Sequence, residues 1–193
     1  ATLDDAKRFA DGLANSLGLP ASSLIVAHED VPKLLATESA LPANLDPMKA
    51  DLSKPSERAR LAALLQAGLE KPAGYVLPLR ASYGEGTVSW ETSPWPLRRG
   101  TLFLLGGDSP MGFRLPLDSL PWVLPEEEDR ETPVDPFEPR DPLADRPAAT
   151  KGRVRGAQPR DVIKTALCVE PRGGHVRVFL PPLERLEGAV ALV

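Results

Sequence analysis

Prolines interrupt the β-rich centre of this 193-residue chain and limit the kind of sheet that it can form. They lie in or beside short runs of β-forming residues between Gly74 and Trp122, at Pro78, Pro94, Pro96, Pro110, Pro116 and Pro121. Proline has no backbone N–H, so each of them removes one ladder hydrogen bond. The pattern therefore predicts a small, proline-interrupted antiparallel sheet in which several strands are edges or irregular.

Four strands are expected in this region, because aliphatic, aromatic and β-branched residues cluster there between turn residues. They are 75–79, 87–91, 101–105 and 113–117. Glycine and serine at 81–86 predict a hairpin loop, and residues 97–100 predict another turn.

The N-terminal part favours helices. Thr2 and Asp5 have the spacing of a capping box, and the apolar residues that follow recur at helical intervals on one face: Ala6, Phe9, Ala10, Leu13 and Leu17. A brief strand is expected at 24–26, a short helix after Asp30, and a longer helix over 53–69.

Residues 124–160 are rich in proline and charge and poor in aliphatic side chains. Such a segment buries too little apolar surface to offset its ordering entropy. It is expected to be a flexible linker, or an arm that wraps a neighbouring surface.

The C-terminal part predicts a β-hairpin over 166–180 with a glycine turn, followed by a helix. Its apolar stripe (Leu183, Leu186, Val190 and Val193) runs to the last residue, and the chain begins at Ala1 without methionine. We therefore expect a fragment with a truncated final helix. The predicted fold class is α+β, in three parts: 1–123 (helices and sheet), 124–160 (linker) and 161–193 (hairpin and helix).

Composition excludes several functional classes. The net charge of −4 and the pI near 5.3 argue against nucleic-acid or anionic-lipid partners. One cysteine, Cys168, and two histidines, His28 and His175, cannot build a cysteine- or histidine-based metal cage. Since neither a membrane-spanning apolar run nor a signal peptide is visible, a cytoplasmic location is expected.

Several separated motifs, in one order, resemble a bacterial family of large proteins known as amidoligases, in which a transglutaminase-like domain precedes the ligase-like part. The motifs are Gly74 to Arg80, Arg98-Arg99-Gly100, Gly107-Asp108-Ser109-Pro110-Met111-Gly112, Arg114-Leu115-Pro116-Leu117-Asp118-Ser119-Leu120-Pro121-Trp122 and Val169-Glu170-Pro171-Arg172. Residues 44–47, 57–61 and 181–187 also fit, so the resemblance covers most of the chain.

The resemblance implies ATP-dependent joining of a carboxylate to an amine, with a fold similar to that of glutamine synthetase. Such ligases activate the carboxylate as an acyl phosphate, using carboxylates for Mg²⁺ and basic side chains for phosphate. The chain would lie at the front of the ligase-like part, would be inactive alone, and would have the rest of its own polypeptide as partner. A peptide or an amino acid would be the substrate.

Glu170 is the candidate Mg²⁺–ATP ligand, with Arg172 and Arg177 as candidate nucleotide contacts. The alternative is a turn-flanking carboxylate that pairs with one of these arginines. Asp108, in a glycine-rich turn, either helps to bind an ion or hydrogen bonds to its own backbone.

A second candidate surface combines tryptophan and arginine, which suit recognition of a carboxylate, a phosphate or a partner protein. Its members are Trp90, Trp95, Trp122, Arg98, Arg99 and Arg114. Alternatively, the aromatic residues plug a small sheet beneath the arginine stems. Two functions thus remain open: part of a ligase site, or a non-catalytic docking or substrate-binding module between enzymatic domains.

Overall fold

A computed structural model describes residues 1–30, 53–56, 58–59, 72–84, 87–97, 100–106, 113–124, 148–149 and 151–192. In this part of the chain the fold is α+β, as predicted. The helices are α1 (Leu3–Ser16) and α2 (Leu186–Leu192). In chain order the strands are β1 (Ile25–Glu29), β2 (Gly74–Pro78), β3 (Arg80–Gly84), β4 (Thr87–Thr92), β5 (Leu102–Gly106), β6 (Phe113–Arg114), β7 (Ala148–Ala149), β8 (Arg153–Val154), β9 (Ala166–Arg172) and β10 (His175–Phe179).

The larger sheet has the strand order β10-β9-β2-β1-β5-β6. Strand β1 is antiparallel to β2 but parallel to β5, so the larger sheet is mixed, whereas the sequence predicted an antiparallel sheet. The physical reason lies in the connection between the two strands. In the described part of the chain, β2, β3 and β4 lie between β1 and β5 in sequence. No hairpin joins these two strands, and a parallel pair needs a long crossover of this kind.

The smaller sheet is built on β4, which pairs with β3 in antiparallel fashion and with β7 and β8 in parallel fashion. Strand β3 occupies most of the segment predicted to be a hairpin loop at 81–86, so that prediction is wrong. Ala81 and Tyr83 point into the core while Ser82 lies between them. This alternation stabilises a half-buried strand despite its small and polar residues.

Helix α1 begins as predicted, with a complete capping box formed by Thr2 and Asp5. The Thr2 backbone hydrogen bond and then the Arg8 side chain lower the pKa of Asp5 to about 2. The helix buries Ala6, Ala10 and Ala14 against the larger sheet. These small side chains let the helix backbone come close to β2 and β9.

Two apolar clusters lie on opposite faces of β2, whose five residues are all buried. Tyr75 and Leu77 face α1, whereas Val76 faces a cluster that contains Trp95 and Leu120. This burial on both faces explains why β2 reads as a nearly continuous apolar run.

The chain passes from the larger to the smaller sheet at Leu79, which is fully buried. Leu79 N donates to Thr165 O (2.9 Å), and Thr165 Oγ1 donates to Leu79 O (2.7 Å). Both backbone groups of Leu79 are therefore satisfied at the point where the sheets diverge.

Within the proline-rich segment, β7 and β8 pair with β4, and Arg155 N donates to Thr92 O (2.7 Å). Ser93 Oγ accepts from Ile163 N (2.8 Å), and Trp95 Nε1 donates to Ile163 O (2.7 Å). These buried contacts fix the segment that leads into β9.

The C-terminal hairpin is confirmed, with β9 and β10 joined through Gly173 and Gly174, both at positive φ. Strand β9 also pairs with β2, so residues on both sides of the predicted linker share one sheet. The division at 124 and 160 stays a prediction. The helix expected after Asp30 and most of the one expected over 53–69 lie outside the described residues.

No helix in the described ranges has the length and apolar character needed to cross a bilayer.

Gly74→Ala should destabilise the protein, because a Cβ at this position would lie 2.5 Å from Val169 O on the paired strand. Backbone cannot move aside cheaply, and we expect a loss of about 1–3 kcal/mol in the free energy of unfolding. Gly12→Ala is the control, since a Cβ there meets nothing within 4 Å and should stabilise α1 by about 0.5–1 kcal/mol. Urea unfolding measures both, and equal effects of the two substitutions would contradict the close β2–β9 approach.

Candidate functional site

Glu170 lies in β9 and is only 5% exposed. Arg177 on β10 is its direct cross-strand partner. On the other side, Gly74 leaves room for it, because a Cβ there would lie 3.3 Å from Glu170 Cβ. The sheet thus holds one carboxylate between a guanidinium and a glycine.

Glu170 has positive charges nearby, but one of its oxygens lacks a hydrogen bond within the described residues. Arg172 Nε lies 3.2 Å from Glu170 Oε1, yet this oxygen makes no hydrogen bond to any residue that the structure describes. Burial raises the pKa of Glu170, and the positive charges of Arg172 and Arg177 counteract that rise. The ion pair expected if Glu170 is a turn-flanking carboxylate is therefore present, and it involves Oε1, the same oxygen that lacks a hydrogen bond within the described residues.

The space beside Glu170 is too small for a ligand in this conformation. A cavity of about 10 Å³ is lined by Gly74, Cys168, Glu170 and Phe179, among others. Such a volume holds at most one water molecule. Contact with a nucleotide would therefore have to occur at the exposed guanidinium groups or after a rearrangement.

Cys168, two residues before Glu170, is not a nucleophile in this environment. Burial, and then the negative charge of Glu170, raise the pKa of its thiol to about 12. The thiolate is the reactive form of cysteine. Cys168 therefore acts as a small apolar side chain, as predicted from the sequence.

The described residues do not form a magnesium site by themselves. Among them, no three histidine, cysteine, aspartate or glutamate side chains lie close enough together to hold a metal ion. Glu170 supplies one carboxylate, but Mg²⁺ prefers several oxygen ligands. The arginines beside it fit an anion better than a cation.

The structure separates the three tryptophans, so they do not form the predicted common surface. Trp90 is buried in the cluster that faces α1, and Trp95 in the cluster on the opposite face. Both are needed to fill the cores of a small protein with few aromatic residues. Only Trp122 is open to solvent, with 74% of its surface exposed.

The structure does not test the binding roles predicted for the remaining residues. Arg98, Arg99 and Asp108 lie outside the described residues, and Arg114 belongs to β6. Their binding roles stay predictions. His28 packs near Phe103, with ring centroids 6.4 Å apart, and His175 is exposed at the start of β10.

Sequence analysis missed a cluster in which three arginines surround Glu91. The distances to its carboxylate oxygens are 3.3 Å from Arg80 Nη2, 3.9 Å from Arg153 Nη1 and 3.9 Å from Arg155 Nη1. The alternation of Arg153, Val154 and Arg155 is a weak strand signal. The proline- and charge-rich composition around it is more typical of a linker and outweighs that signal.

Comparison with known proteins gives one family. The family described as "Putative amidoligase enzyme (DUF2126)" matches residues 1–193. Searches of curated proteins and of solved structures gave no match.

Glu170→Gln should change how stability depends on pH. A carboxylate whose pKa is raised by folding stabilises the folded state fully below its unfolded pKa, and this contribution is lost as the pH rises through the folded value. Relative to wild type, the glutamine variant should therefore become steadily more stable as the pH rises from below about 4.5, the ordinary value for glutamate. Urea unfolding at a series of pH values measures this difference.

Glu184→Gln is the matched control, because it removes the same charge from a half-buried position near α2. A constant offset between Glu170→Gln and wild type at every pH would show that burial does not perturb Glu170.

Proposed function

Because the chain belongs to the putative amidoligase enzyme family, we propose that it is part of an ATP-dependent ligase that joins a carboxylate to an amine. Family membership supports the ligase class. The observation that carries the site assignment is Glu170, a buried carboxylate whose Oε1 lacks a hydrogen bond within the part of the chain that the structure describes. Buried polar groups are rarely left unsatisfied, and exceptions concentrate at functional sites.

In this proposal, Arg172 and Arg177 contact the negatively charged substrate groups. They lie on adjacent strands, and Arg172 is held by its ion pair with Glu170. ATP, as a substrate, would activate the carboxylate so that an amine can attack it, and the guanidinium groups would offset the charge on the phosphate. Glu170 would hold Arg172 in place, and its Oε1, which lacks a hydrogen bond within the described residues, would accept one from a donor group of the substrate.

Further cation ligands would have to come from the nucleotide or from residues outside the described ranges, since Glu170 supplies only one carboxylate. We include Mg²⁺ in the proposal only as the companion of the nucleotide.

The proposal extends to the rest of the polypeptide. We propose that this ligase-like region works beside a transglutaminase-like domain in a bacterial protein, and that the substrates are peptides or amino acids. A cytoplasmic location, where ATP is available, belongs to the same proposal.

Glu170→Gln in the full-length protein should weaken binding of ATP in the presence of Mg²⁺ by about tenfold or more, which corresponds to about 1.4 kcal/mol. Arg172→Gln should act in the same direction, because it removes a charge that faces the phosphate. Isothermal titration calorimetry measures the affinity, and far-UV circular dichroism checks that the variants fold.

Glu184→Gln again serves as control and should bind as wild type does. If full-length wild type does not bind ATP, the proposed function is wrong. If wild type binds and both variants bind equally well, the function survives but its site lies elsewhere.

A docking role is favoured by a separate observation. Trp122 is exposed, and Leu117 and Leu124, which are close to it in sequence, are exposed as well. Tryptophan is a frequent anchor of protein interfaces. We propose that Trp122 contacts the remainder of the same polypeptide.

Trp122→Ala should weaken association between this chain and the separately produced remainder of the polypeptide by at least about tenfold, since anchor residues contribute about 2 kcal/mol or more. Phe9→Ala is a matched control, because Phe9 is also an exposed aromatic residue but lies on α1. Equal affinities of wild type and Trp122→Ala in a calorimetric titration would exclude Trp122 as an anchor.

A further inference from the structure

The cluster around Glu91 is formed by three adjacent strands of the smaller sheet. Glu91 on β4 is paired in register with Arg80 on β3 and with Arg153 on β8. Arg155 follows β8, and its backbone N donates to Thr92 O (2.7 Å). The sheet therefore fixes the Cα positions from which all three guanidinium groups converge on one carboxylate.

Two of the three arginines are held tightly and one is not. The side chains of Arg80 and Arg155 are 22% and 18% exposed, whereas that of Arg153 is 78% exposed. Glu91, at 12% exposed, lies below them. The side chains of Arg80 and Arg155 are thus preorganised, whereas the exposed side chain of Arg153 can move.

The cleft is lined mostly by charged side chains. Among the residues that the structure describes, these are three arginines (Arg80, Arg153 and Arg155) and two acids (Glu91 and Asp161). Its volume is about 370 Å³, within the range of small-molecule sites.

The ion pair between Arg153 and Glu91 is long. Arg153 Nη1 lies 3.9 Å from Glu91 Oε1, whereas Arg80 Nη2 lies 3.3 Å from Oε2 of the same carboxylate. A long ion pair from a mostly exposed arginine adds little stability. Arg153 therefore contributes little to folding stability through this ion pair, and its guanidinium group can bind another anion.

We propose that this cleft binds an oxyanion, namely a carboxylate or phosphate group of a small ligand. Planar guanidinium groups match both anions through paired N–H donors. Glu91 orients Arg80 and Arg155, and Arg153 closes over the bound group. This site lies in the smaller sheet, away from Glu170, and does not depend on the ligase assignment.

Titration of the chain with inorganic phosphate and, separately, with N-acetylglutamate tests the proposal in phosphate-free buffer. Arginine Nε–Hε signals in ¹H–¹⁵N spectra report contacts at the guanidinium groups. We expect saturable shifts with at least one probe at concentrations on the order of millimolar. Tighter binding of phosphate would identify a phosphate ligand, tighter binding of N-acetylglutamate would identify a carboxylate ligand, and equal binding would indicate an unselective oxyanion site.

Arg153→Gln should weaken binding by about fivefold or more, since it removes the mobile donor. It should leave the fold intact because the side chain is exposed, and circular dichroism checks this. Arg8→Gln is the matched control, because Arg8 is an equally exposed arginine on α1 that pairs with Asp5. The proposal is overturned if neither probe binds, if Arg153→Gln binds as wild type, or if Arg8→Gln weakens binding equally.

Discussion

The pairing of β2 with neighbours on both sides is the constraint on which the larger sheet depends. Its antiparallel partners are β1 and β9, so it connects the N-terminal part of the chain to the C-terminal hairpin. Alternate side chains of β2 fill the two apolar clusters. Gly74 permits the close approach to β9 that sets Glu170 in place. The candidate ligase site is thus a product of strand pairing, not of a dedicated loop.

Glu170 and Glu91 show two outcomes for a carboxylate among arginines. Glu170 is nearly fully buried, and one of its oxygens lacks a hydrogen bond within the described residues, so desolvation dominates its electrostatics. Glu91 lies at the base of an open polar cleft with three guanidinium groups near it. Burial therefore raises the free-energy cost of charging Glu170. Glu91 instead has three guanidinium groups at 3.3–3.9 Å from its carboxylate oxygens.

Sequence patterns predicted the elements better than their arrangement. The capping box at Thr2, the strand at 87–91 and the glycine hairpin depend on local spacing, and the structure confirms them. The β1–β5 pairing joins residues far apart in sequence, and no local pattern reports the direction of such a pair. Glu170 could be predicted as a candidate because its position near a turn is a local feature. The convergence of Arg80 and Arg153 on Glu91 could not be predicted, because it depends on the register of three strands.

The long separation between β2 and β9 has a consequence for biosynthesis. Leu79, directly after β2, and Thr165, directly before β9, hydrogen bond to each other although they are 86 residues apart in sequence. A ribosome therefore releases β2 well before its second neighbour exists, and one apolar edge stays unpaired during that interval. Unpaired edges of this kind invite aggregation, and distant contacts form slowly. The larger sheet can consequently be completed only after the C-terminal hairpin has been synthesised.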